Sequence, residues 1–288
     1  MKKFHITNLN LFKSMKSKSA LNNILKFSLG IGLLIPFFKN EPAKAFLTAC
    51  ADSGTVADLS GEANPCFLTP ETLKVTFYEV GFCTSDPLAT GTFVNTSCEK
   101  SWENSSGFES DIGLKKFETM DGKTFRVPNG SFTHSYAIMS NVWKLKAKYE
   151  LTHSGGTTYY TNSTNGLVTT SESDYGEWTD DIENMEGQEG TNLCYDFSAT
   201  SGGATVKAVL ADSNLISATN TSTCQSATRL IGTVQLSSPV VMDDSVKGYR
   251  LNWKITNMGI GLNDNGNGDN LPVDWRGGPF FSEFTLIK

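Results

Sequence analysis

The segment Leu73-Lys-Val-Thr-Phe-Tyr-Glu-Val-Gly-Phe-Cys83 is the first clear β-strand of the chain, and the other strands must be arranged around it. Its apolar positions fall in two successive phases, first Leu73, Val75 and Phe77, then Tyr78, Val80 and Phe82. Side chains alternate between the two faces of a strand, so this slip requires either a bulge near Glu79–Gly81 or burial of both faces. Both alternatives predict a core strand that later segments must flank.

A second phase change occurs further along the chain. Alternation is clean at Phe132, His134, Tyr136 and Ile138, is interrupted at Ser140-Asn141, and resumes on the other parity from Trp143 to Leu151. This pattern predicts two strands or one bent strand. Because both regions slip in the same way, we expect them to be neighbours in a bent or bulged sheet.

Many short strand segments are separated by Gly, Asn and Pro turns, and no amphipathic helical period is long. This pattern predicts an all-β fold. We expect a disulfide-stapled antiparallel β-sandwich over residues 73–288, Ig-like or jelly-roll-like. Residues 154–192, rich in Gly, Ser, Thr, Asn and acids, would form a long acidic insertion or linker. Two small sandwiches divided within 154–192 are the alternative.

Residues 1–45 have the features of an export signal. Six lysines precede the apolar run Phe27–Phe38, which at 12 residues is too short to cross a bilayer comfortably. Ala43-Lys44-Ala45 then predicts cleavage before Phe46. Leu47-Thr-Ala-Cys50 also has the form of a lipobox, but charged residues separate it from the apolar run, and lipidation of Cys50 would leave five cysteines. We expect a secreted, cell-surface or periplasmic bacterial protein without a membrane span in the mature chain.

Six cysteines in an exported chain indicate disulfide bonds. Six cysteines allow 15 connectivities, and the spacing suggests three local pairs: Cys50–Cys66, Cys83–Cys98 and Cys194–Cys224. The first pair would close an irregular lead-in, residues 46–72. Each bond would stabilise one neighbourhood rather than join distant domains.

The charge of the mature chain excludes one class of partner. Residues 1–45 contain eight lysines and one acid, so the remaining 243 residues hold 16 basic and 29 acidic residues, a net charge of −13. Such a surface is repelled by phosphates and anionic lipids. We therefore expect no nucleic-acid partner.

The segments Leu73–Cys83 and Val127-Pro-Asn-Gly-Ser-Phe-Thr-His134 resemble a pattern found in secreted β-rich proteins of marine bacteria. The resemblance covers about the first half of the mature chain. It implies a secreted β-rich fold and no particular activity.

The segment 263–274 has the spacing of a calcium loop. Oxygen-bearing side chains precede and follow Gly268, at Asn263, Asn265, Asn267, Asp269 and, in the twelfth position, Asp274. The leading positions are Asn rather than Asp and no Glu closes the loop, so binding would be weak. The alternative is a metal-free Gly/Asn turn between two strands. Calcium is the one cofactor that the sequence suggests, and none is required.

Two charged sets could form an interaction surface. The acidic set is Glu172, Asp174, Glu177, Asp180, Asp181, Glu183, Glu186 and Glu189, and the basic set is Lys144, Lys146 and Lys148. If the lysine strand lies at a sheet edge, it could meet the acidic set of a neighbouring subunit, with Asp180, Asp181 and Glu183 as contacts. A solvated acidic loop and lysines that protect an edge are the simpler interpretation.

The five tryptophans suggest a carbohydrate ligand, because flat aromatic faces stack on sugar rings. Trp143 and Trp253 lie in strand phase and are expected in the core, whereas Trp178 and Trp275 lie in polar segments and are the candidate ligand contacts.

The sequence contains no motif for nucleophilic catalysis or for a zinc site, so we expect no enzyme. The expected function is an exported structural or interaction protein that binds itself or other surface proteins. A calcium-assisted carbohydrate-binding module using Asp269, Asp274 and Trp275 is the alternative. A glycoside hydrolase, which needs only two placed carboxylates, is the third hypothesis.

Overall fold

The computed structural model describes residues 45–46, 49–50, 65–113, 118–151, 156–183, 185, 197–201, 204–264 and 271–288. These residues form one short α-helix, α1 (Thr221–Gln225), two 3-10 helices (Asn95–Ser97 and Glu172–Asp174) and eighteen strands. The strands are β1 (Ala45–Phe46), β2 (Cys66–Leu68), β3 (Thr72–Cys83), β4 (Cys98–Asp111), β5 (Lys123–Thr124), β6 (Gly130–Met139), β7 (Val142–Lys146), β8 (Lys148–Leu151), β9 (Thr157–Thr161), β10 (Val168–Thr169), β11 (Trp178–Asp181), β12 (Phe197–Ser201), β13 (Ala204–Ala211), β14 (Arg229–Met242), β15 (Gly248–Lys254), β16 (Ile260–Asp264), β17 (Pro272–Gly277) and β18 (Phe281–Ile287).

Strand β3 contains the predicted irregularity. Its pairing with β4 and with β6 shifts between Phe77 and Glu79, and its pairing with β4 shifts again between Val80 and Gly81. The end of the strand, from Val80 to Cys83, is buried at every position. The phase slip therefore reflects both proposed causes, a bulge followed by a stretch buried on both faces.

The break at Ser140-Asn141 lies beside this bulge in the sheet. The first half of β3 pairs with β7, in the register Thr72 to Lys146, and the second half pairs with β6, up to Phe77 opposite Met139. The Ser140 amide between the two strands donates to the Thr76 carbonyl at 2.8 Å. The prediction that the two slipped regions are neighbours is confirmed.

Ten strands form one large sheet in the order β1-β12-β13-β14-β6-β3-β4-β5, with β7 joining β3 to β11. All its pairings are antiparallel except the short one between β1 and β12. The neighbouring strands pack so closely on β3 that one of its positions must be glycine. A Cβ at Gly81 would lie 2.4 Å from the Glu99 carbonyl oxygen and from the Tyr136 ring, so only glycine fits there.

Three smaller sheets, β10-β9-β8, β15-β18 and β17-β16-β2, accompany the large one. The main core joins Leu73, Val75 and Phe77 of β3 to residues of these smaller sheets, including Leu251, Trp253 and Trp275. Phe77 stacks on Trp253 with ring centroids 4.9 Å apart. The fold is thus all-β, antiparallel and layered, as predicted, and the Ig-like or jelly-roll-like assignment stays a prediction.

The opposite face of the large sheet has its own small core, in which Leu88 and the partly buried Phe93 pack with Tyr136 and Ile231. A hydrogen bond of 2.9 Å from the Phe93 amide to Ser217 ties this loop to the segment after β13. Both faces of the central strands are therefore covered.

Disulfides join Cys50 to Cys66 and Cys83 to Cys98, as predicted. The Cys50 sulfur is therefore committed to a disulfide rather than to a lipid. Cys224 is buried and also disulfide-bonded, while its expected partner Cys194 lies outside the described residues. The lead-in is not wholly irregular, because Cys66–Leu68 pairs with β16. No helix in the described part of the chain has the length and apolar character needed to cross a membrane.

Candidate functional site

A cavity of about 440 Å³ lies on the inner face of the large sheet, and we call it the central cavity. Its floor is a row of small residues at one level of three adjacent strands. Ala208 of β13 lies opposite Gly232 of β14, which lies opposite Ala137 of β6. Side chains that are opposite each other in an antiparallel pair share a face, so the row forms a trough across the sheet.

No other backbone segment comes close enough to require glycine at position 232. A Cβ at Gly232 would meet only the tip of Met139 at 3.3 Å and Leu230 at 4.0 Å. Larger side chains border the trough, with Val206, Val234 and Ser135 on one side and Leu230 and Met139 on the other. The cavity therefore exists because three strands carry small residues at the same level.

Aromatic rings form the wall that faces this floor. Trp253 and Phe280 meet edge to face with centroids 5.3 Å apart, and Phe280 contacts Trp143 at 5.4 Å. All three rings line the cavity. Trp143 and Trp253 are only 5% and 6% exposed, which confirms that both belong to the core. The two rings also form part of the cavity wall. The prediction that they lie in the core did not include a cavity beside them.

Asp180 brings a carboxylate to the aromatic wall. It lies directly opposite Trp143 in the pairing of β11 with β7, so the two side chains share a face. Its Oδ2 accepts a hydrogen bond of 2.6 Å from the Gly277 amide, while Oδ1 has no hydrogen bond to a described residue. Burial, opposed by that hydrogen bond and by Arg276, raises the pKa of Asp180 from 3.8 to about 6.

A second polar group lines the same cavity but is bonded within the protein. Asp274 Oδ1 accepts from Asn263 Nδ2 at 2.9 Å, and Oδ2 accepts from Arg276 Nε at 3.3 Å. Asn263 and Asp274 are opposite residues of β16 and β17. Both oxygens of Asp274 therefore accept hydrogen bonds, whereas only Oδ2 of Asp180 accepts one from a described residue.

The two tryptophans predicted to contact a ligand both line the central cavity. They lie in strands β11 and β17 and not in loops, and Gly166 fits between them. Its carbonyl accepts from the Trp275 amide at 3.2 Å, and a Cβ at Gly166 would lie 2.2 Å from the Trp178 ring. Trp275 is only 2% exposed and its indole donates to the Tyr160 carbonyl, so its ring is a wall and not an open platform.

Two lysines of the row, Lys144 and Lys146, do not lie at a sheet edge, whereas Lys148 lies in β8, the end strand of the sheet β10-β9-β8. Strand β7 is paired with β3 on one side and with β11 on the other. Lys144 pairs with Glu109 at 2.8 Å, Lys148 with Glu71 at 3.8 Å, and Lys146 lies 4.2 Å from the Tyr175 ring centroid. For Lys144 and Lys146 the edge condition of an intersubunit contact is not met, because the pairing strand β11 comes from the acidic segment of the same chain. An intersubunit contact of the row stays a prediction.

That acidic segment instead supplies the rim of the central cavity. Asp180, Asp181 and Glu183 line it, and Asp181 accepts a hydrogen bond of 2.8 Å from Asn141. Asp181 and Glu183 are exposed, so this end of the cavity reaches the surface. The sequence marked these three acids as an interaction site, but it gave no indication that they adjoin a cavity.

Two of the predicted calcium ligands, Asn263 and Asp274, are adjacent, as opposite residues of a hairpin. Asn265, Asn267 and Asp269 lie outside the described residues. Within the described ranges there is no group of three or more His, Cys, Asp or Glu side chains arranged to hold a metal ion. Calcium binding at this loop stays a prediction.

No family model, curated protein or solved structure that was compared with this chain matches it. The site must therefore be interpreted from its own chemistry.

Proposed function

We propose that the protein is an exported binding protein that holds one small, mostly apolar molecule in the central cavity. The observation that carries this proposal is the aligned row Ala208, Gly232 and Ala137 beneath an aromatic wall. Ligand pockets typically measure about 300–1,000 Å³ and combine apolar walls with a few polar groups. The central cavity has this size and composition. Export is supported by the signal-like residues 1–45 and by the disulfides.

The carbohydrate alternative has one supporting observation, the position of Trp178 and Trp275 at the cavity. The burial of Trp275 argues against it, because a sugar needs an exposed ring face. The self-assembly hypothesis stays a prediction, but the lysine row gives it little support, because those lysines have partners in the same chain. A binding protein for a small molecule therefore agrees best with the geometry.

Cavity-filling variants test the proposal with N-phenyl-1-naphthylamine, a neutral apolar dye that brightens when it leaves water. We expect one dye molecule to bind per wild-type protein. Ala208→Leu and Gly232→Val each place methyl groups in the trough, and each should weaken dye binding by at least about tenfold.

Ala89→Leu adds the same bulk at an exposed loop position and should leave binding unchanged. Circular dichroism of each variant checks that the fold is retained. Absence of dye binding by the wild type, or equal binding by all the folded variants, would overturn the proposal.

A further inference from the structure

One carboxylate at the polar end of the central cavity, that of Asp180, has no ion pair with a described residue. Among the described charged side chains that line the cavity, four are acids, Asp180, Asp181, Glu183 and Asp274, and one is a base, Arg276. Arg276 forms an ion pair with Asp274 and acts on Asp180 only through its more distant charge. This end of the site therefore carries excess negative charge beside an apolar wall.

The surroundings of Asp180 match an organic cation more closely than any neutral group. Its Oδ1 is an acceptor without a donor among the described residues. The Trp143 ring lies against the same backbone position, since a Cβ at Gly277 would be 3.1 Å from both Asp180 Oδ2 and Trp143 Cε3. A protonated amine can donate to a carboxylate and lie against an aromatic face at the same time. An anionic head would instead face four acids.

We propose that the ligand is an amphipathic organic amine, with its apolar body over the Ala208–Gly232–Ala137 trough and its ammonium group on Asp180 beside Trp143. This inference rests on the proposed binding function and adds the chemical class of the ligand. The aromatic wall of Trp143, Phe280 and Trp253 contacts the apolar body. Asp274 and Arg276 form an ion pair with each other and are not the proposed contacts of the ammonium group.

Three compounds with one apolar body and different heads test the inference by titration calorimetry: naphthylmethylamine, naphthylmethanol and naphthoate. At pH 7.5 we expect the amine to bind wild-type protein at least about tenfold more tightly than the alcohol, the usual advantage of a charged over a neutral hydrogen-bonded pair. Naphthoate should bind more weakly than both. Asp180→Asn should remove the preference for the amine and change the affinity for the alcohol by less than about twofold.

Asp181→Asn is the matched control, because it removes the same charge one residue away, where the side chain is exposed and bonded to Asn141. It should retain most of the preference for the amine. If the alcohol binds wild type as tightly as the amine while Ala208→Leu abolishes both, the amine inference fails and the binding function stands. If Asp181→Asn is as damaging as Asp180→Asn, recognition is by general charge and the contact with Asp180 is refuted. If none of the three compounds binds, both proposals fail.

Discussion

Replacing Asp180 by asparagine should stabilise the protein at neutral pH and have no effect in acid. The folded protein raises the pKa of Asp180 from 3.8 to about 6, chiefly because the side chain is buried. Below about pH 3 the carboxyl is mostly protonated in both the folded and the unfolded chain and contributes almost nothing. As pH rises toward 6, the unfolded chain ionises first, so unfolding becomes progressively easier. Above pH 6 the full destabilisation is present.

The magnitude follows from the two pKa values. Their difference corresponds to about 3 kcal/mol, and the partial exposure of the residue reduces the expected effect to about 1–3 kcal/mol. Asparagine is neutral at every pH and can still accept the hydrogen bond from Gly277. The charged groups that face this position are Asp181 on the same strand, and Asp274 and Arg276 on β17. The variant retains all of them, so their own titration cancels in the comparison.

Urea denaturation followed by tryptophan fluorescence, at pH 3, 4, 5, 6 and 7.5, measures the difference directly. The free energy of unfolding of Asp180→Asn minus that of wild type should be near zero at pH 3, rise from pH 4 onward and reach about 1–3 kcal/mol by pH 7.5. A difference that is constant with pH, or that is largest in acid, would refute the buried-carboxylate reasoning. Saturating naphthylmethylamine should reduce the difference at pH 7.5, since the ammonium neutralises the carboxylate in wild type only.

Three further substitutions test the packing around the site, each by urea denaturation. Gly81→Ala should lose at least about 2 kcal/mol because its Cβ would overlap the Tyr136 ring, whereas Gly248→Ala, where the nearest atom is 3.9 Å away, should lose less; equal losses would contradict the clash. Gly166→Ala should lose about 1–2 kcal/mol from its φ of +67° and a further amount from displacing Trp178. Gly156→Ala, with φ +82° and its nearest atom, Glu150 Oε1, at an ordinary contact distance of 3.8 Å, isolates the backbone part, so an equal loss there would show that the tryptophan contact is unimportant. Phe77→Ala should lose about 3–5 kcal/mol through the lost stack in the main core, and a loss below about 1 kcal/mol would place the core elsewhere.

Local patterns predicted the centre of the fold correctly. The phase slip in residues 73–83 and the break at Ser140-Asn141 are interruptions in the alternation of consecutive side chains, which a sequence displays directly. The disulfides at Cys50–Cys66 and Cys83–Cys98 were also predictable, because each closes a short loop in a chain with export features. What these features share is that the information lies within a few residues.

The central cavity could not be predicted in this way, because it depends on register. Ala137, Ala208 and Gly232 are small residues in three separate strands, and each is unremarkable in its own segment. Only the alignment of β13, β14 and β6 places them at one level. The pairing of β7 with β11 was not predicted for the same reason, since β11 lies more than thirty residues later in a segment whose composition is typical of an acidic loop.

Two features that destabilise the protein, the trough of small residues and the buried Asp180 carboxylate, both occur at the central cavity. Their coincidence favours a binding role over a purely structural one. A trough of small residues gives up apolar contacts that larger side chains would make, and Asp180 gives up stability whenever it is ionised. Neither is imposed by packing, because Gly232 has room for a side chain and asparagine could replace Asp180 without losing the bond to Gly277. Proteins tolerate such local losses where a ligand compensates for them. If the cavity were only a packing defect, Gly232→Val and Asp180→Asn would both stabilise the protein and no ligand would reverse either gain. If it is a binding site, an amphipathic amine should stabilise wild type more than either variant.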